Sequence, residues 1–224
     1  MARAPREAAG GIVYHVLNRA NGRMTIFEKD GDYAAFEDAL SEAHEHVPMR
    51  MVTYCLMPNH WHFVLWPLKD GDLSTFMHWL TLTHVQRWHA YHNTAGLGHL
   101  YQGRFKSFPV ESDDHFFTVC RYVERNALRA SLADRAEHWR WGSLRRRQSN
   151  DPEATKLLAD GPLPFPQDWV DEVNRPQTQP ELDAIRRCLR RGCPYGTETW
   201  VERIAVSLGL TSTLRQRGRP RKKG

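Results

Sequence analysis

Among the twelve histidines of the chain, His60 and His62 flank a bulky apolar residue, Trp61, in a strand-like run. In a β-strand, side chains alternate between faces. The two imidazoles would therefore project together to one side, while Trp61 enters the core on the other. Two imidazoles so placed are a ready pair of metal ligands, and the tryptophan would anchor the strand presenting them. Zinc suits such a pair as well as a harder ion does, and an H-x-H triplet also arises by chance in a histidine-rich chain. A second group lies in Cys120-Arg121-Tyr122-Val123-Glu124-Arg125-Asn126. Residues four apart share a helix face, so Asn126 falls beside Tyr122. Its amide oxygen can complete the coordination of a hard cation, and the phenol can become a nucleophile once a neighbouring metal or base favours the phenolate. Arg121 and Arg125 form a second pair at the same spacing, placed to flank a phosphate. The plain alternative is a tyrosine packed at a helix edge.

The elements that must position these groups follow from periodicity. Gly11 to Leu17 is rich in β-branched and aromatic residues and is closed by turn chemistry from Asn18 to Gly22, which predicts a strand. Asp32 to His46 carries Tyr33, Phe36, Ala39, Leu40 and Ala43 on one helical stripe, ended by Pro48. Arg50 to Leu56 and His60 to Trp66 read as strands joined by a tight bend at Pro58-Asn59, a hairpin. Asp72 to His92 is the longest helical pattern. Leu100 to Val110 returns to a strand-like alternation, and Ser112 is expected to cap a helix from about Asp113 to Ala130 that buries Phe116, Val119, Cys120, Val123 and Ala127. This order predicts an α+β fold in which an antiparallel sheet is covered by helices on one face.

Eight tryptophans, nine phenylalanines and seven tyrosines exclude a wholly disordered chain. Beyond Arg147 repeated prolines and glycines break the pattern, and only Pro180 to Arg191 and Glu198 to Leu208 look helical. We therefore expect a first domain over residues 1–150 and an irregular, partly helical, basic extension over 151–224. The net charge of +5 is unevenly spread. Arg145-Arg146-Arg147, Arg186-Arg187, Arg190-Arg191 and the run from Arg215 to Lys223 lie in the last third, and arginine forks suit a polyanion. A solvated face would carry such charge too. The four cysteines show no C-x-x-C spacing, no charged-then-apolar leader is evident, and no apolar run approaches the roughly 18 residues of a membrane helix. The expectation is a soluble cytoplasmic protein with reduced thiols and no membrane partner.

The run Tyr54-Cys55-Leu56-Met57-Pro58-Asn59-His60-Trp61-His62, followed about sixty residues on by Tyr122 and Asn126, resembles the REP-associated tyrosine transposases. These are single-strand-specific HUH transposases, named for two histidines around a bulky hydrophobic residue. Tyr14-His15-Val16-Leu17-Asn18-Arg19, Gln102-Gly103-Arg104-Phe105-Lys106-Ser107 and Trp139-Arg140-Trp141-Gly142-Ser143 support the resemblance, which spans roughly residues 10 to 147. It implies a ferredoxin-like or RRM-like sheet with the histidines on a central strand and the tyrosine helix opposite them. It implies further that His60, His62 and Asn126 hold Mg²⁺ or Mn²⁺, and that Tyr122 attacks a DNA phosphodiester to give a 5′-phosphotyrosyl intermediate and a free 3′-hydroxyl. Family members commonly carry proline after the asparagine, where this chain has Ala127, a residue better suited to a helix interior.

The expected substrate is single-stranded or hairpin DNA at short palindromic repeats in a bacterial cell, gripped by Asn18, Arg19, Arg23, Arg104 and Lys106 at strand ends and turns, with Arg121 and Arg125 at the tyrosine helix. Arg217-Gly218-Arg219-Pro220 resembles the core of an AT-hook, whose arginines enter the minor groove of A·T-rich duplex. The activity implied is that of a metal-dependent endonuclease and strand transferase acting in transposition, as monomer or homodimer. Two other readings stay open: a DNA-binding regulator that has kept the fold but does not cut, and a zinc-dependent hydrolase of another kind.

Overall fold

A computed structural model of the chain describes residues 8–149 and 152–215. Arg217 and Arg219 lie outside the described residues. Four strands form the sheet: β1 (Val13–Arg19), β2 (Met49–Met57), β3 (His60–Pro67) and β4 (Lys106–Val110). Their spatial order is β2-β3-β1-β4, with every neighbouring pair antiparallel. Only Pro58 and Asn59 separate β2 from β3, and Met57 pairs with His60 across them, so the expected hairpin is formed.

Three helices pack on the sheet: α1 (Asp30–His46), α2 (Asp72–His92) and α3 (Asp114–Glu124). The α+β class and the antiparallel sheet match expectation, but coverage is two-sided where helices on one face were expected. Tyr14, Val16, Trp61, Phe63 and Leu65 join the helices α1 and α2 in one buried cluster. Val13, Val64, Phe108 and Val110 join α3 in a second. The reason is compositional: the central strands β1 and β3 carry apolar residues on both faces, and each face needs a cover.

Three boundaries also differ. Strand β4 starts at Lys106, because Tyr101 makes only an isolated bridge to Ala20 and a bend over residues 102–104 interrupts the alternation. The cap of α3 is Asp113, not Ser112: the Asp113 carboxylate accepts the His115 backbone N–H at 2.8 Å. The helix expected to run to Ala130 breaks at Arg125 and resumes as α4 (Asn126–Arg129).

After α4 come the short helices α5 (Ser143–Arg147), α6 (Pro152–Thr155) and α7 (Trp169–Asn174), then α8 (Gln179–Arg191), α9 (Glu198–Ser207) and α10 (Thr211–Leu214). The start of α8 is written in the sequence, with Thr178 and Glu181 making a reciprocal capping box and Gly192 closing the helix in the left-handed region. Trp169, Val173, Ile185, Cys188 and Cys193 are buried in the same cluster as α3, so the extension completes the cover of the second face. Its junction is a buried carboxylate. Glu124 accepts from Ser143 Oγ at 2.6 Å, Trp169 Nε1 at 2.7 Å and Arg147 Nη1 at 3.2 Å. No helix among the described residues is long and apolar enough to cross a membrane.

Candidate active site between the histidine strand and helix α3

Strand alternation places His60 and His62 on the face covered by α3, with their ring centroids 5.1 Å apart. Trp61 points the opposite way and is fully buried. Its Nε1–H donates to the Tyr101 hydroxyl at 3.0 Å, and that hydroxyl lies 2.7 Å from His84 Nδ1 on α2. The indole thus fixes the strand from behind through a chain of hydrogen bonds.

The tyrosine helix lies on the same side as the imidazoles. Tyr122 sits edge-on to His62, with ring centroids 5.7 Å apart, and edge-on to His15 at 6.1 Å. Asn126 follows in the next turn, 6 % exposed. His62 and Tyr122 thus meet across the gap between strand and helix, with His60 beside the one and Asn126 four residues after the other.

Two residues that the sequence reading left without a role join them. His15 is buried on β1, its Nε2 2.9 Å from His62 Nδ1. Arg129 donates to Asn126 Oδ1 at 3.0 Å and lays its guanidinium over the Tyr122 ring, 4.2 Å from the centroid. Helical spacing signals Arg129, three residues after Asn126 and seven after Tyr122. A histidine inside an otherwise apolar strand was the signal for His15. Asn59 acts as well: its Oδ1 accepts from His60 Nδ1 at 2.6 Å, and its Nδ2 donates to the Arg23 carbonyl at 3.2 Å.

These contacts set the state of the imidazoles. Burial, followed by the charges of Arg19 and Arg129, lowers the His60 pKa to about 3. Burial also holds His62 well below its ordinary value, with His15, His60 and the two arginines adding to the effect. Both rings are neutral at pH 7. His60 uses Nδ1–H toward Asn59, which leaves its Nε2 lone pair available, and His62 does the same when its Nδ1–H donates to His15. Asn126 Oδ1 keeps a second lone pair beyond its bond from Arg129. This donor set fits a divalent ion. Arg19 Nε, Asn126 Nδ2 and His15 Nδ1 are buried without a hydrogen-bond partner, a concentration of unmet donor capacity around one site.

A second group of possible ligands lies at the start of α3. Glu111, Asp113 and His115 bring one ligand atom each within 4.8 Å of one another and could hold a metal ion. Each has an existing role: Glu111 accepts the Thr197 N–H at 2.6 Å, and Asp113 accepts His115 Nδ1 at 2.9 Å.

The described residues expected to grip DNA divide into four groups. Arg19, paired with His60, and Lys106, paired with Leu17, lie on the histidine face of the sheet. Arg23 sits in an exposed turn tied to Asn59. Asn18 and Arg104 instead line a cavity of about 630 Å³ with Ser74, His78 and Thr81 of α2, on the opposite face. Arg121 and Arg125 are turned to the extension. Arg121 donates to the Arg175 and Pro176 carbonyls at 3.1 and 3.0 Å, and Arg125 donates to those of Val173 and Asn174. The Arg125 guanidinium thereby satisfies the last carbonyls of α7, and that of Arg121 the two carbonyls just beyond its end.

A solved structure of a REP-associated tyrosine transposase bound to a REP hairpin matches with a TM-score of 0.53 at 14 % identity, over 80 % of this chain and 100 % of that one. At that identity the likeness establishes the fold. A candidate transposase from Deinococcus radiodurans R1 matches at TM-score 0.40 and 16 % identity, over 58 % of this chain and 92 % of the other. No curated protein sequence matches. The family model for IS200-like transposases matches residues 9–126, a stretch that runs from before β1 through the tyrosine helix to Asn126, and on that match the chain belongs to this family.

Proposed function

We propose that the protein cleaves and rejoins single-stranded DNA at palindromic hairpin repeats, with Tyr122 as nucleophile and a divalent ion, Mg²⁺ or Mn²⁺, held by His60, His62 and Asn126. The observation that carries this reading is the packing of Tyr122 against His62 with Asn126 one helical turn away. Family membership and the hairpin held by the structural relative support a DNA hairpin as substrate.

In the proposed step the Tyr122 Oη forms a bond to phosphorus while the bond from phosphorus to the 3′ oxygen breaks. The 3′ oxygen leaves as a hydroxyl, and the 5′ side stays on the tyrosine. Rejoining is the reverse, with the covalent bond conserving the energy, so no nucleotide cofactor is consumed. The bound ion would supply Lewis-acid neutralisation of the non-bridging oxygens. Arg129 and Arg19 add fixed positive charge, which favours a phosphate where charge develops. Asn18, Arg23, Arg104 and Lys106 would hold the flanking nucleic acid, and Arg121 and Arg125 act in this scheme by seating the extension on α3. Residues 1–150 would carry the chemistry, and residues 151–224 an extension whose basic end, including Arg217 and Arg219, reaches A·T-rich duplex.

Incubation with a labelled REP-type hairpin and Mg²⁺ or Mn²⁺ tests the proposal, read as a DNA–protein adduct that survives denaturation. Y122F is expected to abolish the adduct while hairpin affinity persists. A covalent adduct of undiminished yield from Y122F removes Tyr122 from its role. Binding without any adduct from the unaltered chain favours a non-cutting regulator.

A further inference from the structure

Two of the four cysteines lie outside the site just described, and their placement is unlike that of the other two. Cys188 is in the last turn of α8, and Cys193 follows Gly192, whose left-handed conformation (φ 72°) turns the chain back over that turn. Gly192 N–H donates to the Cys188 carbonyl at 2.7 Å, closing the helix. The reversal brings the two Sγ atoms to 3.4 Å, although no C-x-x-C motif is present.

Cys193, though only 5 % exposed, also reaches a cavity of about 640 Å³, which it lines together with Arg187, Arg191, His115 and Tyr195. The hydrogen bond with Cys188 and the positive potential of Arg187 and Arg191 outweigh burial and bring the Cys193 thiol down to about 7. The Cys188 thiol is pushed upward by the same contact and by burial. Cys55 and Cys120 are fully enclosed in the core, where burial raises both, Cys55 to about 12. Thiolate character and access select which cysteine reacts with an oxidant, so the four thiols divide into one attacking group, one partner beside it and two inert groups.

We propose that Cys193 and Cys188 form an oxidant-sensitive dithiol that takes hydrogen peroxide or a small organic hydroperoxide and closes to a disulfide. The Cys193 thiolate attacks the peroxide: an S–O bond forms, the O–O bond breaks, and hydroxide or alkoxide leaves. Cys188 then attacks the sulfenic sulfur, so the S–S bond forms, the S–O bond breaks, and water leaves with the Cys188 proton. The two thiols supply the two electrons that reduce the peroxide. A bond of about 2.0 Å needs only a small approach of the sulfurs from their present separation. Closure fastens the end of α8 to the segment ending at Tyr195, whose N–H and C=O pair with Pro109 O and Glu111 N on the outer rim of β4, each at 2.9 Å.

The test uses the full reduced chain, hydrogen peroxide and peptide mapping without reductant. Trypsin cuts after Arg187, Arg190, Arg191 and Arg203, so a closed pair appears as the peptide 188–190 linked to 192–203. The expected result is that linked species, with Cys55 and Cys120 still reduced. C188S should leave a sulfenic acid at Cys193 that dimedone traps, and C193S should leave Cys188 unlabelled. The proposal is overturned if 188 and 193 stay reduced under peroxide, if the link joins either of them to Cys55 or Cys120, or if Cys188 in C193S is the thiol that dimedone labels.

Discussion

His62 has one ring nitrogen committed to His15, and that commitment fixes the plane of the imidazole that faces Tyr122. Partners of this kind orient ligands without touching the metal, and their loss typically weakens metal affinity by roughly 10- to 100-fold. H15A should therefore lower Mn²⁺ affinity by about that factor while hairpin binding in the absence of metal is unchanged, both measurable by calorimetry. Affinity equal to that of the unaltered protein would reduce His15 to a packing residue. The triplet and the tyrosine helix were legible because each obeys a local period, two for the strand and near four for the helix. His15 was not. It lies 47 residues from His62 and meets it diagonally, since the register pairs Leu17 with His62 and His15 with Val64. Register between distant strands is a property of the assembled sheet, which no local spacing encodes.

Helices α1, α2, α8 and α9 were read from sequence to within two residues, α2 without error in its bounds, because an apolar stripe is a strong local signal, whereas the break after α3 and the short helices α6, α7 and α10 carry no such stripe and were not expected. What that signal leaves open is which side of the sheet a helix takes. Strands β1 and β3 carry apolar residues on both faces, and the histidines on one of them are largely buried too, so the strand pattern does not mark either face as open to solvent. Arg121 and Arg125, expected to flank a phosphate, meet the extension for a related reason: exposed arginines on an isolated helix look the same whether DNA or another part of the chain covers them. The element-scale consequences are testable at two buried polar groups. Glu124 joins α3 to α5 and α7, and its side chain is fully buried against Arg147. E124A takes one partner each from that guanidinium and the Ser143 hydroxyl, which keep their bonds to Val52 and Tyr54, and strands the Trp169 indole, and should cost about 1–3 kcal/mol in urea denaturation. A loss below about 1 kcal/mol would show that water replaces the carboxylate. His84 on α2 is buried and held neutral, with burial lowering its pKa to about 3. Below about pH 6.5 the unfolded chain binds a proton at this histidine that the folded chain refuses, so stability falls as pH falls, until about 3. H84N removes one such group and should flatten the slope of unfolding free energy between about pH 6 and 4 by about 1.4 kcal/mol per pH unit. An unaltered slope would mean that His84 takes up its proton without unfolding.

For the whole molecule, the extension is both structural and electrostatic. Residues 163–195 share a core with α3, whereas the basic end of the chain was read from composition alone. Deleting residues 212–224 should weaken duplex binding and reduce the steepness with which log affinity falls against log salt, by roughly 0.9 for each phosphate no longer neutralised. Fluorescence titrations at several salt concentrations measure this, and an unchanged slope would take the tail off the DNA.

The rims of the sheet are closed by the chain itself. Along β2, the Met51 carbonyl receives Ala159 N–H, Val52 O receives Arg147, the Tyr54 N–H and C=O both meet Ser143 Oγ, and Leu56 is held by Trp141 and the Trp139 indole. On the far rim Tyr195 pairs with the backbone beside Pro109, a residue with no N–H to offer. A sheet whose outer strands lie bare recruits further strands, as filaments and swapped oligomers do. Here the backbone groups that would nucleate such growth are already engaged among the described residues. Extending the sheet between two copies at these positions, or exchanging a strand there, would first require residues 139–143 or the Tyr195 segment to peel away.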